Sequence, residues 1–168
     1  VTAARRLECV RPFAAYYRQF EPASEIPPLG YLGRGHRRLT PHIYSSQEVL
    51  QLLQATDCLT PHGKLRPLTY RTFFGLVAAV GLRLSEALNL TIADVDLDAG
   101  SITIRNTKFR KSRCLPIHSS VVQALAIYRE FRDRGHASAP GQPFFISQTG
   151  AALPKRTVEE VFLRMRFH

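Results

Sequence analysis

A chain of 168 residues is long enough for one or two folded units with a buried core, and 45% hydrophobic with 10% aromatic residues excludes a disordered class. Its 23 Lys and Arg against 13 Asp and Glu leave a formal net charge of +10, which favours an anionic partner, polyphosphate backbones foremost. A basic but unspecialised surface is the competing explanation when charge is taken alone.

In chain order, Ala3 to Phe20 carries Leu7, Val10, Phe13, Ala14 and Tyr17 at helical spacing among Arg5, Arg6, Arg11 and Arg18, which predicts one amphipathic helix. Pro22, Pro27, Pro28, Gly30, Gly33 and Gly35 then interrupt regular structure, and with Arg34, Arg37 and Arg38 they read as a basic linker. Ser45 and Glu48 form a capping-box pair that opens a second helix through Val49, Leu50, Leu52 and Leu53. After a loop from Pro61 to Pro67, Leu68 to Val80 is apolar nearly all round, so it is expected to be a central helix. Gly81 stands where a helix end favours a left-handed residue, and Ser85 is expected to cap a short helix from Glu86 to Leu90, which fixes Arg83 in an elbow. Val95 to Leu97, Ser101 to Arg105 and Arg113 to Ile117 read as strands of an antiparallel meander around the turn Asp98-Ala99-Gly100. A helix from Ser119 or Ser120 to near Gly135 follows, with Tyr128 on its apolar face and the phenol tip expected at the surface. Pro143 to Ile146 is expected to be a short strand, and Thr157 with Glu160 a capping box opening the last helix.

Two features can carry chemistry. Arg83 is a permanently charged, forked donor held between two helices, suited to charge developing on a phosphodiester; its alternative is a structural pair with Glu86. The run from Arg105 to Arg113 holds Arg105, Lys108, Arg110, Lys111 and Arg113 and no acid, so it either follows a nucleic-acid backbone or is a solvated turn. Lys108, near the tip, is able to give up a proton to a leaving oxygen. Cys9, Cys58 and Cys114 form no Cys-x-x-Cys pair and read as reduced thiols; Cys58 with His62 falls short of a tetrahedral site, so no metal is expected. No apolar run reaches the roughly 20 residues that span a bilayer, and Val1 to Arg6 is not followed by a signal-type apolar region, so a soluble cytoplasmic protein is expected.

The elbow Gly81-Leu82-Arg83-Leu84-Ser85-Glu86-Ala87-Leu88-Asn89-Leu90, the segment Ile92-Ala93-Asp94-Val95-Asp96 and the hairpin Thr107-Lys108-Phe109-Arg110-Lys111-Ser112-Arg113-Cys114-Leu115-Pro116-Ile117 together resemble the tyrosine recombinase (phage integrase) family, in order and spacing as well as in residues. The resemblance covers most of residues 45 to 168. It implies an α+β fold, mostly helical with a small antiparallel three-stranded sheet: residues 1–20 as the terminal helix of a core-binding domain, 21–44 as a basic linker and 45–168 as part of a catalytic domain. It also implies site-specific cutting and rejoining of double-stranded DNA through a phosphotyrosyl intermediate, by tetramers on two duplexes, with no cofactor. Arg83 matches the family's phosphate-clamping arginine and Lys108 the hairpin lysine that protonates the leaving 5′-oxygen. Arg110, Lys111 and Arg113 match the hairpin that approaches DNA, and Glu86 a supporting acid. Phe109 departs from the glycine many relatives carry after the lysine.

The family's His-x-x-Arg pair, its further His or Trp and its late nucleophilic tyrosine have no counterpart in these residues; the tyrosines stand at 16, 17, 31, 44, 70 and 128. The expectation is a truncated recombinase, monomeric and able to bind DNA without cleaving it. Its alternatives are a nonenzymatic DNA-binding remnant of a mobile element, and a basic RNA-binding protein.

Overall fold

The computed structural model describes residues 2–33, 40–61, 64–105, 112–136 and 138–166. The chain divides into two compact units, Val1–Ile43 and Tyr44–His168. In the first, helix α1 (Thr2–Tyr17) is followed by chain without regular structure, and the Arg11 Nε donates to the Pro27 carbonyl at 3.0 Å, folding that chain back on the helix. The helix ends three residues before the expected Phe20, in turns closed by Gln19 and Phe20 N–H groups. Its Phe13, Tyr16 and Tyr17 remain exposed.

The second unit is built on helix α3 (Leu65–Val80), which buries Tyr70, Phe73, Phe74 and Leu76. Helix α2 (Ser46–Ala55) packs against it and opens on the expected box, with the Glu48 N–H donating to the Ser45 Oγ at 3.3 Å and the Ser45 N–H donating to the Glu48 carboxylate at 2.8 Å. Gly81 closes α3 at φ 67°, with its N–H bonded to the Val77 carbonyl at 3.0 Å, and the chain leaves into the short helix α4 (Leu84–Leu88). Strands β1 (Val95–Asp96), β2 (Ser101–Ile104) and β3 (Arg113–Pro116) form the antiparallel sheet in the order β1-β2-β3, with Val95 opposite Ile102 and Ile104 opposite Arg113. The fold is therefore mostly helical with a three-stranded antiparallel sheet, as expected. Helices α5 (Ser119–Asp133) and α6 (Lys155–Met165) complete the unit.

The core is aromatic. Phe73 of α3, Tyr128 of α5 and the pair Phe144 and Phe145 meet with ring centroids 5.0–5.6 Å apart, edge to face or tilted, the arrangement that ring quadrupoles favour. Phe74 reaches α6 through Phe162 at 5.7 Å.

Four local expectations are corrected. Tyr128 does not raise its hydroxyl to the surface: it is wholly buried, and the hydroxyl accepts the Ile146 N–H at 3.0 Å. Pro143 to Ile146 is not a strand but lies between isolated bridges, Thr91 with Pro143 and Ile146 with Ala152. Phe144, Phe145 and Ile146 are all buried, so the segment is held by side chains packed on every side rather than by a ladder. Helix α6 starts at Lys155 after Pro154, which leaves Thr157 inside the helix and Glu160 bonded to Arg156 at 2.8 Å. Ser85 also lies inside its helix and does not cap it.

Replacing Tyr128 by Phe removes the acceptor of a buried N–H while keeping the ring. Tyr128→Phe is expected to lower unfolding stability by about 1–3 kcal/mol, measured by urea denaturation at neutral pH.

Candidate functional site

The site is a buried carboxylate that positions two exposed arginines. Leu82 and Ala87 are buried on either side of the elbow and anchor it to the core, leaving Arg83 at the start of α4 with its side chain 63% exposed. Glu86, on the first turn of α4, has a side chain only 7% exposed. One Glu86 oxygen, Oε2, accepts the Arg83 backbone N–H at 3.0 Å and the Arg113 Nη2 at 3.0 Å; the other, Oε1, accepts the Arg83 Nη1 at 2.8 Å. The acid therefore does the capping that Ser85 was expected to do, as an acidic residue three places after the cap can.

Arg113 arrives from the sheet. It opposes Ile104 across the β2–β3 pair, so it shares the core-facing side of the ladder and reaches inward to Glu86 from its edge. Two positive charges on one negative leave a net positive site. Burial alone pushes the Glu86 carboxyl pKa upward; the Arg83 N–H and guanidinium bonds and the Arg113 charge outweigh it and hold the group below its ordinary value.

A second site of the same kind lies next to it in the chain. Asp94, 4% exposed, accepts the Thr91 N–H at 3.0 Å and the Thr91 hydroxyl at 2.6 Å on Oδ2, and the Arg105 Nε on Oδ1. Here too burial pushes the pKa up and the bonds from Thr91 and Arg105 prevail, so the carboxyl is held low. This pair was not anticipated in sequence, although Thr91-Ile92-Ala93-Asp94 has the spacing of a capping box and the signal was present.

Of the sequence-derived site residues, Arg83 and Arg113 are brought together on Glu86. Lys108, Arg110 and Lys111, with Phe109, lie outside the described residues. Among the described residues no group of three or more His, Cys, Asp or Glu is placed to hold a metal, and no helix is long and apolar enough to cross a membrane. A cleft of about 250 Å³ is lined by Arg66, Thr69, Tyr70, Ser147 and Thr157, and neither Arg83 nor Arg113 is among its lining residues.

The sequence pattern described as the phage integrase family matches residues 43–168. A Sinorhizobium fredii protein with the provisional name integrase/recombinase y4rB is 42% identical over 163 residues, covering 95% of this chain and 52% of its own length. Tyrosine recombinase XerC of Bacillus subtilis is 25% identical over 164 residues, covering 95% of this chain and 52% of its own. Among solved structures, the XerA recombinase superposes with a TM-score of 0.61 at 22% identity, over 90% of this chain and 50% of that one. A lambda integrase tetramer bound to a Holliday junction superposes with a TM-score of 0.61 at 16% identity, over 92% and 44%. The chain thus spans about half the length of the curated relatives it matches, and the structural likenesses show the fold.

The low carboxyl pKa values set a sign for acid stability. A group whose folded pKa lies below its unfolded one contributes fully above the unfolded value and loses its contribution as pH falls through the folded one. The melting temperature is therefore expected to hold from neutral pH down to the ordinary carboxylate range and to fall below it. Glu86→Gln is expected to melt lower than the parent at neutral pH and to show a shallower acid limb, read from thermal melts across pH.

Proposed function

The chain belongs to the phage integrase family, and on that premise we propose that it binds double-stranded DNA as part of a site-specific recombinase, with Arg83 as the residue that grips a backbone phosphate. The observation that carries this reading is the Glu86 arrangement. An arginine used only for packing would be buried with its partner, whereas Arg83 is tied at the backbone and at one nitrogen while most of its side chain faces water. That fixes the direction of a forked cation toward an external anion before the anion arrives. Arg113 adds a second positive charge on the same carboxylate, and Lys108, Arg110 and Lys111 belong in this reading to the hairpin that carries the basic run.

In the proposed role Arg83 stabilises charge on the nonbridging oxygens and Lys108 gives a proton to the leaving 5′-oxygen. A nucleophile is needed to complete the transfer, and the tyrosines of residues 44–168 are poor candidates. Tyr70 and Tyr128 are buried, with phenol pKa values pushed up by desolvation, and Tyr44 packs on Phe162 with ring centroids 6.0 Å apart. The chain by itself is therefore a DNA-binding protein that does not cleave. The division into units at 43/44 supports reading 45–168 as the catalytic-domain part, with 1–20 and 21–44 as the end of a core-binding domain and its linker. Alone, the chain is proposed to be a monomer acting in the cytoplasm, without a cofactor.

Anisotropy titrations with a duplex across a salt series are expected to give a steep linear fall of log K with log salt. Arg83→Gln is expected to weaken binding several-fold at fixed salt, on every duplex sequence tried. Equal or tighter binding of structured RNA would count against the DNA reading. A suicide duplex that traps phosphotyrosyl adducts is expected to yield none, and any covalent adduct on the purified chain overturns the non-cleaving assignment.

A further inference from the structure

We infer that Arg105 is a second backbone-phosphate contact, held by buried Asp94 just beyond the end of β2, at a phosphate other than the one Arg83 grips. The inference rests on the DNA-binding reading above. Ile104 and Arg113 are paired across β2 and β3, so their side chains share the core-facing side. Arg105 is the next residue after Ile104, just past the end of β2, and its guanidinium is engaged by Asp94 and not by Glu86. Asp94 ends the 3-10 turn Ile92–Asp94 just before β1 and meets Arg105 there through its Oδ1.

Asp94 is fixed before Arg105 reaches it. Its Oδ2 is taken by the Thr91 N–H and hydroxyl, and the turn that carries it is pinned by the Ile92 N–H on the Gln142 carbonyl and the Ala93 N–H on the Pro140 carbonyl, each at 3.0 Å. Oδ1 then receives Arg105 through Nε, the atom nearest the chain, so the two Nη nitrogens form the outer end of a side chain that is 60% exposed. That is the geometry for presenting a fork to a phosphate. Arginines at the adjoining ends of β2 and β3, pinned by two different acids, suit a two-stranded ribbon lying in a groove between two phosphate backbones.

The purified chain is titrated with duplex DNA of two unrelated sequences over 50–200 mM KCl. Arg105→Gln is expected to lower the magnitude of the log K against log salt slope by about one unit, which is about a fourfold smaller loss of affinity over that salt range, equally on both sequences. Because this variant leaves Asp94 buried without its cation, the double variant D94N/R105Q is run beside it and is expected to show the same slope. Arg105→Lys, which keeps the charge, is expected to restore the parent slope. Parent-like slopes for both neutral variants overturn the Arg105 assignment while leaving the DNA reading intact. A parent chain without salt-dependent duplex binding overturns that reading, and this one with it.

Discussion

Glu86 is a carboxylate taken out of water, and the geometry of the site follows from how its two oxygens are satisfied. A buried charge is tolerated only when cations and hydrogen-bond donors replace its hydration. The donors available are the Arg83 N–H at the cap of α4, the guanidinium of the same residue, and an arginine delivered by β3. One acid thus fixes where a helix begins, which way Arg83 points and how the end of the sheet is registered against the elbow. None of these can be altered without leaving the acid unmatched, so the helix start, the arginine and the strand behave as one unit although 27 residues separate Glu86 from Arg113.

The same solution recurs at Asp94, with a threonine supplying the backbone and hydroxyl donors and Arg105 the cation. In both places the acid is buried and the arginine mostly wet. The benefit is preorganisation: a long side chain loses rotamer freedom when it meets a phosphate, and that entropy is already lost when a fixed carboxylate holds the stem. A large net positive charge attracts a polyanion from a distance but does not orient it. Buried acids beneath surface arginines convert a diffuse field into directed donors, so the acids of a basic protein contribute to its recognition of anions.

Much of this was legible in the residues, and where it was not the reason is physical. The Ser45–Glu48 box, the end of α3 at Gly81 and the three strands are set by local chemistry, and each stands close to where the sequence places it. Thr157 and Glu160 have the same spacing as a capping box, but Pro154 supplies an extended residue just upstream and the helix begins there instead. At the elbow the sequence points to Ser85 as the capping residue; Glu86 serves instead, and its reach also covers two guanidinium groups. Tyr128 and the Phe144 to Ile146 segment depend on each other across 18 residues, since the hydroxyl is buried only because the segment brings it an N–H. Periodicity along one helix carries no information about that partner. The Arg105 link escaped for a similar reason: Thr91 and Asp94 announce a cap, but nothing local says which cation answers the acid.

Gly81 shows how little separates a chain that presents Arg83 from one that does not. At φ 67° the residue occupies the left-handed region, yet a Cβ built there meets no atom within 4 Å. The position has room for a side chain and tolerates the wrong mirror form poorly, so it selects on chirality and not on volume. A D-alanine there would keep the elbow and an L-alanine would strain it, although both fill the same empty space. The outward direction of the Arg83 guanidinium thus traces back to the handedness of a single backbone step two residues upstream.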